Sequence, residues 1–119
     1  MSGNLWLTYI RGDMFLKSGV SVQGLQAEIL LAILIVNEVC KTHGVEPTIT
    51  SISDGAHSKN SYHYQGDAVD FRTKDIPSAI IPIILDQIRL RLTSEYDVLH
   101  ESVNTPNQHL HIEYNRRRG

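Results

Sequence analysis

The sequence predicts a small α+β domain: a mainly antiparallel sheet packed against a central apolar helix and a second helix. Three observations predict it. Residues 21–43 follow a helical pattern with a wholly apolar centre, a second helical pattern follows at about residues 77–92, and four short segments of period two lie between and after them. These helices and strands do not alternate regularly, which favours an α+β arrangement over a doubly wound parallel sheet. The 119 residues have the length of one domain, so residues 1–119 are expected to form a single unit. A chain of this size should bury roughly 65 % of the surface its unfolded form exposes, enough for one core.

The first helix is expected over Ser21 to His43, with Ser21 as N-cap and Gly44 as the residue just beyond the C-terminus. Its centre, ILLAILIV, is apolar on all sides and should be covered by other elements. The second runs from about Pro77 to Leu92, with Ile80, Ile84 and Ile88 on one stripe. Pro77 suits a first helical position, whereas Pro82 does not suit an interior, so this helix begins later or kinks there. Thr48–Ser53, Ala68–Arg72, Asp97–Glu101 and His109–Tyr114 read as strands. Asp54–Tyr62 and Ser102–Gln108 are rich in turn residues and read as loops.

Composition excludes several classes. Hydrophobic residues make up 41 % and charged residues 20 %, which suits a globular chain rather than a disordered or fibrous one. The formal charge is −2, and three of the eleven cations sit together at Arg116, Arg117 and Arg118, so no nucleic-acid partner is expected. Those arginines read as a solvated tail. Cys40 has no second cysteine to pair with and lies in an apolar run, where a thiol behaves as a small buried hydrophobe. The longest apolar run, Ile29 to Val36, is eight residues, far short of the ~20 that span a bilayer. No membrane insertion is expected. The first fifteen residues lack the features of a secretory signal, so a cytoplasmic start is expected, with any export helped from outside the chain.

Histidines carry the chemical signal. Four of six fall in the second half, and His57 lies just before it. The segment SYHYQGDAVD places His63 and Asp70 seven apart, with Gly66 between them to let the chain turn. On a strand over His109–Tyr114, residues His109, His111 and Glu113 share one face while Leu110, Ile112 and Tyr114 share the other. Two imidazoles and a carboxylate make three protein ligands for zinc, an arrangement that leaves a fourth position for water. A carboxylate beside that water must then accept a proton and return it to a leaving amine. Glu101 is the natural candidate, with Asp97 and Glu113 as competitors.

The pattern S-x-H-x-x-G-x-A-x-D over Ser61 to Asp70, followed by the late H-x-H of His109 and His111, resembles the zinc peptidase superfamily of D-Ala-D-Ala carboxypeptidases, L-Ala-D-Glu peptidases and the hedgehog domain. It is also similar to short phage and bacterial proteins that pair S-x-H-Y-x-G-x-A-V-D with H-x-H-I-E-Y. The resemblance spans about Thr48 to Tyr114. It implies a hedgehog/DD-peptidase-like fold with zinc held by His63, Asp70 and His111. It further implies Glu101 as the catalytic carboxylate, His109 as an electrostatic stabiliser of the tetrahedral intermediate, and Ser61 ordering the ligand loop. Many relatives carry an arginine after the strand equivalent to Thr48–Ser53, where it grips a substrate carboxylate. This chain has Ser53-Asp54-Gly55-Ala56-His57 there, which leaves His57, Lys59 or Arg72 to contact substrate. The loop from Glu101 to His109 is also longer than the minimal motif.

The activity implied is zinc-dependent hydrolysis of a peptide bond in the peptidoglycan stem peptide. One setting is a phage lysis enzyme, made in the cytoplasm and released to the cell wall by a partner such as a holin. The alternative is a non-catalytic hedgehog-like zinc binding module, or a virion or envelope component. Retention of both Glu101 and His109 favours the enzyme, because a pure binding module needs neither. A serine hydrolase built on Ser61 and His63 lacks a nucleophile-elbow sequence.

Overall fold

A computed structural model gives the fold and describes residues 4–9, 12–20, 27–52 and 68–115. Six strands and two helices follow in the order β1 (Asn4–Tyr9), β2 (Gly12–Lys17), α1 (Ala27–Thr42), β3 (Thr48–Ser51), β4 (Ala68–Arg72), α2 (Ile81–Arg91), β5 (Tyr96–Glu101) and β6 (His109–Tyr114). They form one sheet ordered β1-β2-β3-β4-β6-β5. Every neighbouring pair is antiparallel except β2 and β3, which run parallel. A parallel pair needs a crossover between its strands, and α1 supplies it. The mainly antiparallel α+β class is therefore present, with a βαβ unit built into it.

Two strands precede the first element expected from sequence. β1 and β2 pair antiparallel, with Tyr9 opposite Gly12. No Asn-Gly or Asp-Gly pair marks the turn between them, so the usual hairpin signal is missing.

Both helices differ from expectation at one end. α1 begins at Ala27 within the described residues, and the expected cap at Ser21 lies outside them. Its other end is as expected. Gly44 has φ +73°, its N–H donates to the Lys41 carbonyl at 3.1 Å, and the Val45 N–H donates to the Cys40 carbonyl at 2.9 Å. That pair of bonds is the Schellman closure, which needs a left-handed residue and so favours glycine. α2 starts at Ile81 rather than Pro77. Residues 77–80 instead form a turn in which the Ile80 N–H donates to the Pro77 carbonyl at 3.1 Å. Pro82 thereby falls in the first helical turn, where a missing N–H costs no helical bond.

The two faces of the sheet are chemically distinct. Val69, Phe71, Val98, Leu110 and Ile112 join Ile33, Val36, Val39, Ile84 and Ile88 of the helices in one buried core. Helix-to-helix packing is reinforced where His43 Nε2 lies 3.0 Å from Gln87 Oε1. The expectation that α1 is covered on all sides needs correcting, since Leu30 and Leu31 are 44 % and 50 % exposed. Both helices stand in one layer on the sheet, so each keeps an outward side whatever its polarity. At the sheet's outer edge, Arg89 of α2 donates to the Val98 carbonyl of β5 through Nη2 at 2.7 Å, satisfying an acceptor that an edge strand otherwise offers to other chains.

Cys40 is buried in the core, and burial pushes its thiol up to about 12, against a smaller opposite pull from Lys41. Because an unfolded thiol ionises near 8.5, the native chain should resist Ellman's reagent at pH 8.5 and react fully once unfolded in urea. Fast labelling of the native chain would contradict this placement.

Candidate metal centre and its cleft

The sheet face turned away from the helices carries the polar residues. Register arranges them in rows across the strands. Glu101 of β5 pairs with His109 of β6, which pairs with Arg72 of β4. In the next row Leu99, His111, Asp70 and Ser51 follow one another across four strands. In the third row Asp97, Glu113 and Ala68 lie side by side. The period-two alternation read from HLHIEY thus holds, with Leu110 and Ile112 buried on the helical side.

Asp70, His109 and His111 come together at the centre of this face. One donor atom from each lies within 4.8 Å of the others, a set that could hold a metal ion. His111 Nδ1 is 2.7 Å from Asp70 Oδ1, and His109 Nε2 is 4.0 Å from the same oxygen. Donors about 2.0–2.1 Å from a tetrahedral zinc stand roughly 3.4 Å apart along each edge. The two observed separations bracket that value, so small side-chain movements would suffice to seat an ion. The donor set of imidazole nitrogen and carboxylate oxygen also suits zinc chemically.

The other ring nitrogens are held. His111 Nε2 lies 2.6 Å from Glu113 Oε1, and His109 Nδ1 lies 2.7 Å from the backbone carbonyl of Asn107. His109 Nε2 is also 3.0 Å from Glu101 Oε1. Glu101 therefore reaches the site through His109, with its side chain 44 % exposed at the rim.

His111 is itself buried, at 8 % exposure. Burial pushes its pKa down, but hydrogen bonds to Asp70 and Glu113 and the charges of Asp70 and Glu101 outweigh it and raise the value to about 9. On the helical side of β5, His100 Nε2 contacts Thr73 Oγ1 at 3.0 Å, and burial followed by the His109 charge lowers its pKa. His100 thus points away from the site, as its alternation with Glu101 requires.

Beside the cluster opens a cleft of about 300 Å³ lined by Asp70, His109, Ser51 and three cations: Lys17, Arg72 and Lys74. Of the substrate contacts expected from sequence, Arg72 is therefore at the site, with Asp75 as a loose ion-pair partner at 3.9 Å. Lys17 and Lys74 were not legible as cleft residues, because they come from β2 and from the turn after β4. The turn-rich segment Ser102–Gln108 supplies Asn107 and Gln108 to the same cleft, and Ser102 and Asn104 there adopt φ of 53° and 66°. His57, Lys59, Ser61 and His63, with the loop Asp54–Tyr62 and Arg116–Arg118, lie outside the described residues. The third donor of the described cluster is His109, a residue assigned from sequence to stabilisation rather than ligation.

The chain matches no family model, and no characterised protein or solved structure was found to be similar to it. Among the described residues, no helix is long and apolar enough to cross a membrane.

Two outcomes follow from this geometry. After dialysis against zinc and buffer, His111→Ala and Asp70→Ala should lose the metal measured by atomic emission, while Glu101→Ala should keep it; retained zinc in His111→Ala would contradict the ligand set. In the metal-free protein, His111 holds its proton up to about 9, whereas an ordinary histidine releases it near 6.5. The native state therefore binds more protons across that interval, and stability falls as pH rises through it. Urea unfolding should show this contribution intact at pH 6, declining toward pH 9, and absent from the pH profile of His111→Ala.

Proposed function

We propose that this chain is a zinc-dependent peptidase acting on the stem peptide of bacterial peptidoglycan, of the D-Ala-D-Ala carboxypeptidase or L-Ala-D-Glu peptidase kind. The observation that carries the proposal is the grouping of Asp70, His109 and His111 beside Glu101, next to a cleft that Asp70 and His109 line together with Lys17, Arg72 and Lys74. The resemblance of SYHYQGDAVD and HLHIEY to such peptidases supplies the substrate class. Asp70 and His111 hold the metal in this reading, His63 is its third protein ligand, and His109 stands between the metal and Glu101.

Zinc at these residues supplies a Lewis acid that polarises a carbonyl and brings the pKa of a water toward ~7. The remaining work falls to side chains. Glu101 is exposed enough to meet a water entering from the cleft, and its Oε1 is oriented by the 3.0 Å contact with His109. It accepts the proton of the attacking water and delivers it to the departing amine nitrogen as the C–N bond breaks. His109, anchored at Nδ1 by the Asn107 carbonyl, presents Nε2 toward the place where negative charge develops on the carbonyl oxygen. Arg72, with Lys17 and Lys74 beside it, offers fixed positive charge for a carboxylate of the substrate. These cations take the part that an arginine nearer Ser53 plays in many members of the superfamily. In this reading the protein meets the wall after release from the cytoplasm through a partner pore, as a phage lysis enzyme does.

The test is mass spectrometry of soluble fragments after zinc-loaded protein is incubated with purified peptidoglycan. Wild type should release defined stem-peptide fragments whose masses name the bond cut. Glu101→Ala should bind zinc normally and lose roughly 10²–10⁴-fold in rate. A folded, zinc-bound wild type that releases nothing from several wall chemistries would favour a zinc binding module without catalysis.

A further inference from the structure

Glu113 was weighed from sequence as a rival proton acceptor to Glu101, yet its carboxylate is spent elsewhere. Oε1 lies 2.6 Å from His111 Nε2, while the opposite ring nitrogen, Nδ1, lies 2.7 Å from Asp70 Oδ1. The two residues stand two apart on β6, so both side chains leave the same face of the sheet. Glu113 also sits directly across from Asp97 in the β5–β6 register.

From this geometry we infer that Glu113 is a positioning residue: it fixes the ring of His111 with Nε2 as hydrogen-bond donor and so commits Nδ1 to the metal. The inference rests on the metal-centre reading above but adds which nitrogen binds and what selects it. Imidazole offers two nitrogens, and the one left without a proton is decided by the partner of the other. A carboxylate acceptor on the far nitrogen also raises the basicity of the binding one, and losing such a partner typically costs about 10–100-fold in metal affinity. His109 follows the opposite arrangement, with Nδ1 held by the Asn107 carbonyl and Nε2 turned inward. The two histidines of H-x-H thus face Asp70 through different nitrogens, each set by its own outer contact.

The test measures zinc affinity by competition with a chromophoric chelator for the full chain, Glu113→Ala and Glu113→Gln, and records long-range ¹H–¹⁵N spectra of the zinc-bound imidazoles. Glu113→Ala is expected to bind zinc about 10–100-fold more weakly, with the thermal unfolding of the metal-free chain used to confirm that it folds. Glu113→Gln keeps an oxygen that can accept from Nε2–H, so it should retain the Nδ1-bound form with intermediate affinity. Wild-type spectra should show His111 protonated at Nε2 and bound at Nδ1. Unchanged affinity in a folded Glu113→Ala, or binding of wild type through Nε2, would overturn the positioning role while leaving the metal centre standing. Failure of wild type to bind zinc at all would overturn both.

Discussion

Asp70 and His111 meet because β4 and β6 pair antiparallel in one register, and the rest of the site depends on that pairing. The row Leu99–His111–Asp70–Ser51 crosses four strands, and the row beside it brings Glu101, His109 and Arg72 into line. A shift of one residue in β6 would turn His109, His111 and Glu113 into the helical layer and expose Leu110 and Ile112. Burial of Val69, Phe71, Leu110 and Ile112 against the helices makes that shift costly. The apolar core therefore acts as the jig for the polar site.

The division of labour between faces also explains how one short strand serves two purposes. HLHIEY spends every second residue on the core and every other one on chemistry. Placing two imidazoles, a glutamate and an aspartate within one patch would be unfavourable if each group stood by itself. Here His111 lies between Asp70 and Glu113, and His109 between Glu101 and the Asn107 carbonyl. Each ring is fixed on one side by a partner that is not a member of the metal cluster. The loop of residues 102–108 contributes one of those partners through the Asn107 backbone carbonyl.

Much of this was legible in the sequence. β4 and β6 fall on the residues where alternation placed them, and β5 gains Tyr96 at its start. Asp70, His109, His111 and Arg72 meet at one site, and Glu101 adjoins it, because period-two spacing fixes which side chains share a face. What eluded the sequence involved contacts between distant segments. Lys17 and Lys74 join the cleft only through strand order, which pattern does not encode. β1 and β2 lack a strong turn signal, and the parallel pairing of β2 with β3 is a property of the crossover rather than of either strand. The outward side of α1, where Leu30 and Leu31 remain exposed, shows that an apolar run does not by itself say how many layers will cover it. Glu113 was visible as a carboxylate on the correct face, but its bond to His111 depends on side-chain rotamers that strand alternation does not encode.

Zinc-edge anomalous diffraction from crystals of the zinc-loaded full chain tests the central claim most directly, since it locates the metal without reference to activity. A single strong peak bonded to Asp70 and to His111 Nδ1, on the sheet face away from the helices, is the predicted result. A peak elsewhere on the chain, or none at this face in protein shown to carry zinc, would contradict the claim that the β4–β6 register builds a metal centre.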